Sequence, residues 1–447
     1  KPDFRVVDNP VPGLFVVELG IADIPSSIYH SAPSDSQANQ IALAITQLKE
    51  LIDVKEVAAI VDLPFWRKVV ERLQGTLVVY DCMDHHAGFE NNTTEMLDEE
   101  QLLIQRADVV VASAAKLHDE LSKYRDDIAL IRNGGEIEYF SKPPKRIAWN
   151  KTRPVVGYYG AIAEWFDMPL VVASAKAHPE WDFMLVGAVT DCDLTDANAV
   201  DNIHFIGEVP YGVLTEYLGA FDVCLIPFQI IELTLCTNPV KVYEYLAAGK
   251  PVVSTALPEV QLLDEYVYVA DSEAGFIDDI AKAMADAESG GREQSLREAA
   301  KSHDWSARAE HLDQCINAHF PLVSVVVLTY NNLDYTKPCL DSLFQNTRYP
   351  NWELIIVDNA STDGSPEYLE EFASHHVNTQ VILSPDNTGF SAGNNLGLAA
   401  AKGEYLVVLN NDTYVTPGWM LGLVRHLRFD NKLGLVGPVT NNIGNEA

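Results

Sequence analysis

Three polar clusters in the last third of the chain sit where apolar runs end. Val323–Leu328 leads into Thr329, Tyr330 and Asn331. Leu354–Val357 leads into Asp358, Asn359 and Ala360-Ser361-Thr362-Asp363-Gly364. Tyr405–Leu409 leads into Asn410, Asn411 and Asp412. If the runs are strands of an open α/β sheet, ligands bind outside their carboxyl ends. A carboxylate there, Asp358, suits the hydroxyls of a ribose or an N–H of a base. A second, Asp412, suits Mg²⁺ or Mn²⁺ held against a diphosphate. Between them, Asn387-Thr388-Gly389-Phe390-Ser391-Ala392-Gly393-Asn394-Asn395 offers glycines for close backbone approach, and Ser391 as a helix cap.

A second constellation runs from Thr237 through Asn238-Pro239-Val240-Lys241-Val242-Tyr243-Glu244 to Gly249. Asn238 reads as an N-cap, Pro239 as the first helical residue and Gly249 as the stop. A helix start behind a strand is an anion site. Lys241 in the first turn opposes the helix dipole, a penalty that a bound diphosphate reverses. Glu244, three residues on, shares its face and suits ribose hydroxyls. A surface Lys–Glu pair is the other reading of the same spacing. A third candidate is Asp81-Cys82-Met83-Asp84-His85-His86, behind the strand at 76–80. Its polar residues sit at a strand end; a capped polar loop is the other reading.

The elements that must position these residues are strands and helices in near-continuous alternation, the pattern of parallel sheets flanked by helices. In the first stretch, strands are expected at Leu14–Val17, Val57–Val61, Thr76–Tyr80, Asp108–Ala112 and Ile128–Ile131, with helices near 36–52, 64–74, 93–106 and 113–124. In the second, strands are expected at Val155–Tyr159, Phe183–Val186, Ile203–Ile206, Val223–Ile226, Pro251–Ser254 and Tyr266–Val269, closed by a helix at Trp305–Ala318. In the third they are Val323–Leu328, Glu353–Val357, Gln380–Leu383 and Tyr405–Leu409. The basic, Pro-containing stretch 141–146 reads as a linker, either a solvated hinge or a contact with anionic lipid.

Bulk properties fit this division. The 447 residues suffice for two to four domains, and a hydrophobic content of 47% supplies their cores. A net charge of -33 excludes non-specific nucleic-acid binding, which needs cationic surface. Six cysteines without a CxxC pair read as reduced thiols of a cytosolic protein. There is no apolar stretch of membrane-spanning length and no visible signal peptide.

The last stretch resembles the family-two glycosyltransferases of the GT-A fold, particularly rhamnosyltransferase-like members. Thr329-Tyr330-Asn331, Val357-Asp358-Asn359-Ala360-Ser361-Thr362-Asp363-Gly364, Asn387-x-Gly389-Phe390 and Leu409-Asn410-Asn411-Asp412 carry the likeness. It implies nucleoside contacts from Thr329 and Asp358 and a metal, Mg²⁺ or Mn²⁺, on Asp412 in this domain only. Tyr330, Asn331, Asn359, Asp363, Asn387, Gly389, Asn395 and Asn411 complete the expected donor site. Asn411 replaces a usual acid, and the family's catalytic base lies further downstream than this chain reaches.

The earlier part resembles family-four-like GT-B glycosyltransferases through the Lys241–Glu244 segment. Val156-Gly157-Tyr158-Tyr159-Gly160, Phe205-Ile206-Gly207, Phe221-Asp222-Val223-Cys224-Leu225-Ile226-Pro227 and Arg132-Asn133-Gly134-Gly135 support it. Donor contacts are expected from Gly160, Thr237, Asn238, Lys241 and Glu244, and catalytic roles for Asp84, His85 and Glu244. Cys236 stands where the family often has a first glutamate, and Ala161-Ile162-Ala163-Glu164 replaces its usual Arg and Lys.

The expected fold is therefore α/β: two Rossmann-like domains (GT-B) at 1–148 and 149–320, the first lacking its native start, then a truncated GT-A domain at 321–447. The expected activity moves hexosyl or deoxyhexosyl groups from nucleotide diphosphate sugars to a glycan or lipid-linked glycan, in the cytoplasm or at the inner face of the membrane, with peripheral membrane contact. A GT-B sugar-nucleotide epimerase, or a non-catalytic GT-B module serving its neighbour, remain the alternatives.

Overall fold

The computed structural model describes residues 4–21, 28–52, 54, 57–73, 76–89, 92–143, 149, 152–429 and 432–438. The chain forms two compact units, Lys1–Asp313 and Gln314–Ala447.

The first unit opens with an antiparallel hairpin, β1 (Phe4–Val11) and β2 (Leu14–Leu19). Here the structure departs from expectation. Leu14–Val17 does not begin a parallel sheet; it pairs back onto β1 through Pro12-Gly13, with Gly13 at φ 87°. The glycine's positive φ lets the chain reverse where a helix would otherwise follow.

The first parallel sheet is β3 (Val57–Val61), β4 (Thr76–Cys82), β5 (Val109–Ala112) and β6 (Ile128–Leu130), in spatial order 3-4-5-6. The second contains β7 (Val155–Tyr159), β8 (Asp182–Val186), β9 (Ile203–Gly207), β10 (Val223–Ile226), β11 (Val252–Thr255) and β12 (Tyr268–Ala270), in order 12-11-10-7-8-9. Strands such as Val-Cys-Leu-Ile of β10 are buried at every position, because helices cover both sheet faces. Each such Val, Leu or Ile contributes about 1.5–3 kcal/mol of burial. The order reverses between β7 and β10, which opens a crevice at their carboxyl ends.

The two sheets of this unit are tied by one buried acid. Glu259, 3% exposed, accepts from the backbone N–H of Ala115 at 2.6 Å and from Arg132 at 2.6 Å, both on the first lobe. It also accepts from Asn238 at 3.0 Å on its own lobe. Gly134 packs so closely on the chain at 303–305 that a Cβ there would lie 2.8 Å from the His303 carbonyl. The helix Trp305–Ala318 follows directly.

The second unit carries β13 (Val323–Thr329), β14 (Trp352–Asp358), β15 (Thr379–Leu383) and β16 (Tyr405–Asn410), parallel, in order 15-14-13-16. The order again reverses at its first strand, so Thr329, Asp358 and Asn410 end side by side. The second half of the basic stretch expected to be a linker, 144–146, lies outside the described residues. Among the described residues no helix is long and apolar enough to cross a membrane.

Candidate functional site

In the first unit the crevice is built on the helix Val240–Ala247, which follows β10 across residues 227–239 and the short helix Glu232–Leu235 that they contain. Pro239 is its N-cap, with fixed φ and no side-chain bond. Asn238 does not cap, contrary to the reading of the sequence. Its amide nitrogen donates to Glu259, its amide oxygen accepts from Tyr243 at 3.1 Å, and its carbonyl accepts from Asn133 at 2.7 Å. Asn238 is thus a link between lobes. Thr237 donates to the Leu233 carbonyl at 2.9 Å, closing the preceding turn.

Lys241 lies in the first turn, its ammonium 5.0 Å from the Phe228 ring centre and 5.4 Å from that of Tyr158. Burial pulls its pKa down to about 8, and Glu244 opposes that shift. Gly160, at φ 131°, ends β7 directly beneath it; a Cβ there would lie 3.1 Å from the Lys241 Cε. A side chain there would crowd the Lys241 stem and strain a backbone at positive φ. Glu244 is buried, and Tyr159 donates to its Oε2 at 2.6 Å. Burial raises its pKa, partly offset by the Tyr159 bond and by Lys241. From the first lobe, Gly135 packs against the Glu244 Cγ.

Between the lobes lies a cleft of about 910 Å³. Asp62, Asp84, His86 and Phe89 line it from the first lobe; Glu164, Trp165 and Asp191 line it from the second. The Phe89 and Trp165 rings meet edge to face across it, 6.3 Å apart. Burial raises the pKa values of Asp62 and Asp84, and brings Asp81 to about 6, with Asp62 adding to the shift. His85 is not in this cleft. It lines a smaller pocket with Glu100 and Leu117, which His86 also reaches. His86 takes the place beside Asp84, 6% exposed, with a pKa lowered by burial to about 4. The His-His dipeptide was the signal, but spacing alone does not say which ring faces inward. Asp62, Glu164 and Trp165 carried no motif and were missed.

Cys236, in place of an expected glutamate, is fully buried in the core of the first lobe, and burial raises its thiol to about 11. It offers no charge near neutrality.

In the second unit Asp358 is 1% exposed at the end of β14. Its Oδ2 accepts from the Ser361 N–H at 2.9 Å, while its Oδ1 is buried without a partner. A buried carboxylate oxygen left unpaired is costly, and a ligand N–H or O–H would relieve it. Thr329 is buried against Thr336 at 3.1 Å. Asn411 donates to Thr336 at 3.0 Å and to Thr329 at 3.3 Å, which explains an amide there: both partners are hydroxyls of the interior. Asp412 and Tyr330 are exposed beside them.

Several candidates are engaged in holding loops. Asn331, at φ 55°, accepts from the Thr362 N–H at 2.8 Å. Asp363 caps the next helix through Ser365 at 2.6 Å and accepts from the Leu333 N–H at 3.0 Å. Asn359 donates to Asn387 at 2.7 Å and accepts from the Thr388 N–H at 3.0 Å. Gly389, not Ser391, precedes the helix Phe390–Ala400, with Ser391 inside its first turn. Asn395 is exposed; its neighbour Asn394 is buried and leaves its Oδ1 unpaired.

No group of three or more His, Cys, Asp or Glu exists among the described residues. Mg²⁺ binds through one or two carboxylates plus substrate phosphates and water, and Asp412 is the exposed carboxylate at this strand end.

Comparison with known proteins finds two family models in the chain. Residues 324–447 match the family model of glycosyl transferase family 2, and residues 153–287 that of glycosyl transferases group 1. TuaH of Bacillus subtilis strain 168, described as a teichuronic acid biosynthesis glycosyltransferase, is 28% identical over 253 residues, 51% of this chain and 64% of TuaH. EpsH of the same organism, a glycosyltransferase by description, is 35% identical over 105 residues, 24% of this chain and 30% of its own length. The chain thus spans less than two thirds of these relatives. The Anabaena HepE crystal structure with UDP and glucose superposes with a TM-score of 0.51 at 15% identity, over 64% of this chain and 84% of HepE. That likeness shows the GT-B fold of the first unit.

Proposed function

We propose that this chain, which joins a group 1-type GT-B unit to a family 2 unit, is a glycosyltransferase with two donor sites. Each takes a nucleotide diphosphate sugar, and the acceptor is a glycan of cell-surface polysaccharide synthesis. The observation that carries the reading is Lys241, a cation held over Gly160 with Glu244 three residues away. A diphosphate beside Lys241 restores the full charge that burial weakens, and helix N–H groups add to it. Glu244, kept in one orientation by Tyr159, accepts from ribose hydroxyls. The cleft at Asp84 and His86 receives the acceptor next to the reacting carbon. We propose domain limits near 148 and 320.

In the second unit Asp358 and Thr329 take the nucleoside, and Asp412 would hold Mg²⁺ or Mn²⁺. Bound there, the ion would neutralise the charge of the departing diphosphate. TuaH's description and HepE's bound UDP support this choice of ligand and pathway. We place the reaction in the cytoplasm, at the membrane's inner face, and the sugar among hexoses and deoxyhexoses. The buried Cys236 favours one second reading, a GT-B unit that binds but does not turn over.

The deciding experiment measures nucleotide release from a panel of nucleotide sugars with glycan acceptors. The proposal expects one release activity to fall at least about a hundredfold in Glu244→Gln while surviving Asp412→Ala. Release untouched by Glu244→Gln would support the non-catalytic reading.

A further inference from the structure

The large cleft of the first unit has an unusual balance of charge. Asp62, Asp84, Glu164 and Asp191 contribute four carboxylates, and the described lining residues include no lysine or arginine. Its walls also carry the Phe89–Trp165 pair and a buried histidine. His86 is 6% exposed and its Nε2 has no partner, so a polar group is left waiting for a ligand hydrogen bond. Aromatic rings against carboxylates are what a sugar ring needs: an apolar C–H face to cover and hydroxyls to receive.

We propose that this cleft accepts the terminal residue of a non-acidic glycan, neutral or amine-bearing, and rejects acidic ones. The proposal rests on the reading of this unit as a transferase and names its acceptor's charge class. Trp165 covers the apolar face of the sugar. Asp84 and Glu164 accept from its hydroxyls, or pair with an ammonium. A uronic acid or phosphate placed there would meet like charges at short range, with no lysine or arginine among the described lining residues to offset them, in a site already partly withdrawn from water. The loop after β7 links the two halves of the site: Gly160 lies under Lys241, and Glu164 and Trp165 face the cleft.

The test uses the full chain and matched glycosides that differ only at C6: glucoside against glucuronide, and galactoside against galacturonide, with the glucosaminide added. Binding is read by saturation-transfer NMR and calorimetry. A neutral or amino glycoside should bind at least about tenfold more tightly than its acidic counterpart. Glu164→Gln and Asp84→Asn should each narrow that gap, and Trp165→Ala should weaken all the neutral glycosides. Equal or tighter binding of the acidic member, or no binding of any non-acidic one, overturns the proposal. Nucleotide-sugar binding is measured on the same samples. If it persists and depends on Lys241, only the acceptor inference has failed; if it is absent, the underlying reading has failed.

Discussion

Tyr159 donates its phenolic hydrogen to Glu244 over 2.6 Å, within a region where both side chains are buried. The bond joins the end of β7 to the helix that carries Lys241. It holds a carboxylate that burial alone would push toward its neutral form.

Tyr159→Phe removes that donor and leaves the carboxylate less well paired. At pH 7 the variant should lose about 1–3 kcal/mol of stability in urea unfolding. The sign with pH follows from Glu244's raised pKa. The protonated form is the one the folded state favours, so the stabilising contribution is complete at low pH and fades as pH rises. The loss in Tyr159→Phe should therefore be smaller near pH 4 than at pH 7.

Glu259 receives bonds from Ala115, Arg132 and Asn238 at once. Glu259→Ala strands a guanidinium, an amide and a backbone N–H. It should cost about 3–5 kcal/mol in denaturant unfolding. Amide exchange should then rise first at the N-terminus of the helix Ala115–Leu121, which loses its anion.

Asp81 titrates near pH 6, above the ordinary range, because of burial and then Asp62. Its raised value favours the folded state below about pH 4 and withdraws that support as pH climbs through 6. Asp81→Asn should therefore stabilise the protein by about 1 kcal/mol at pH 7, discounted for its partial exposure, and change little at pH 4. Thermal unfolding at the two pH values reads this directly.

In the second unit the unpaired Oδ1 of Asp358 awaits a ligand donor. Asp358→Asn keeps size and shape but alters that acceptor. Binding of a nucleoside diphosphate with Mn²⁺ should weaken about tenfold or more. Asp412→Ala should abolish the Mn²⁺ dependence and leave the metal-free affinity of the first unit unchanged, as calorimetry on the full chain would show.

Much of this was legible in the chain itself. Runs such as Val-Cys-Leu-Ile and Val-Ser-Val-Val-Val mark strands buried on both faces, and the helix Trp305–Ala318 lies where one was expected. The hairpin at the start was half seen, because alternation at Leu14–Val17 says strand but not which partner. Asn238 looked like a cap from its neighbours, yet its partners Asn133 and Glu259 come from distant segments. Asn394 is buried and Asn395 exposed, and His86 but not His85 reaches the larger cleft, differences that packing sets and spacing does not announce. Asp62, Glu164 and Trp165 meet only in three dimensions, so no local spacing announces them.

The central claim is that Lys241 holds a diphosphate, and calorimetry of nucleotide-sugar binding in EDTA across pH tests it most directly. Lys241 titrates near pH 8 in the free protein, and only its charged form attracts phosphate. Affinity should be steady below pH 7.5, then fall by up to about tenfold per pH unit above 8. Lys241→Met should remove the binding and Lys241→Arg should remove its pH dependence. Metal-free binding that is unchanged in Lys241→Met, or flat from pH 7 to 10 in the native chain, would contradict the account.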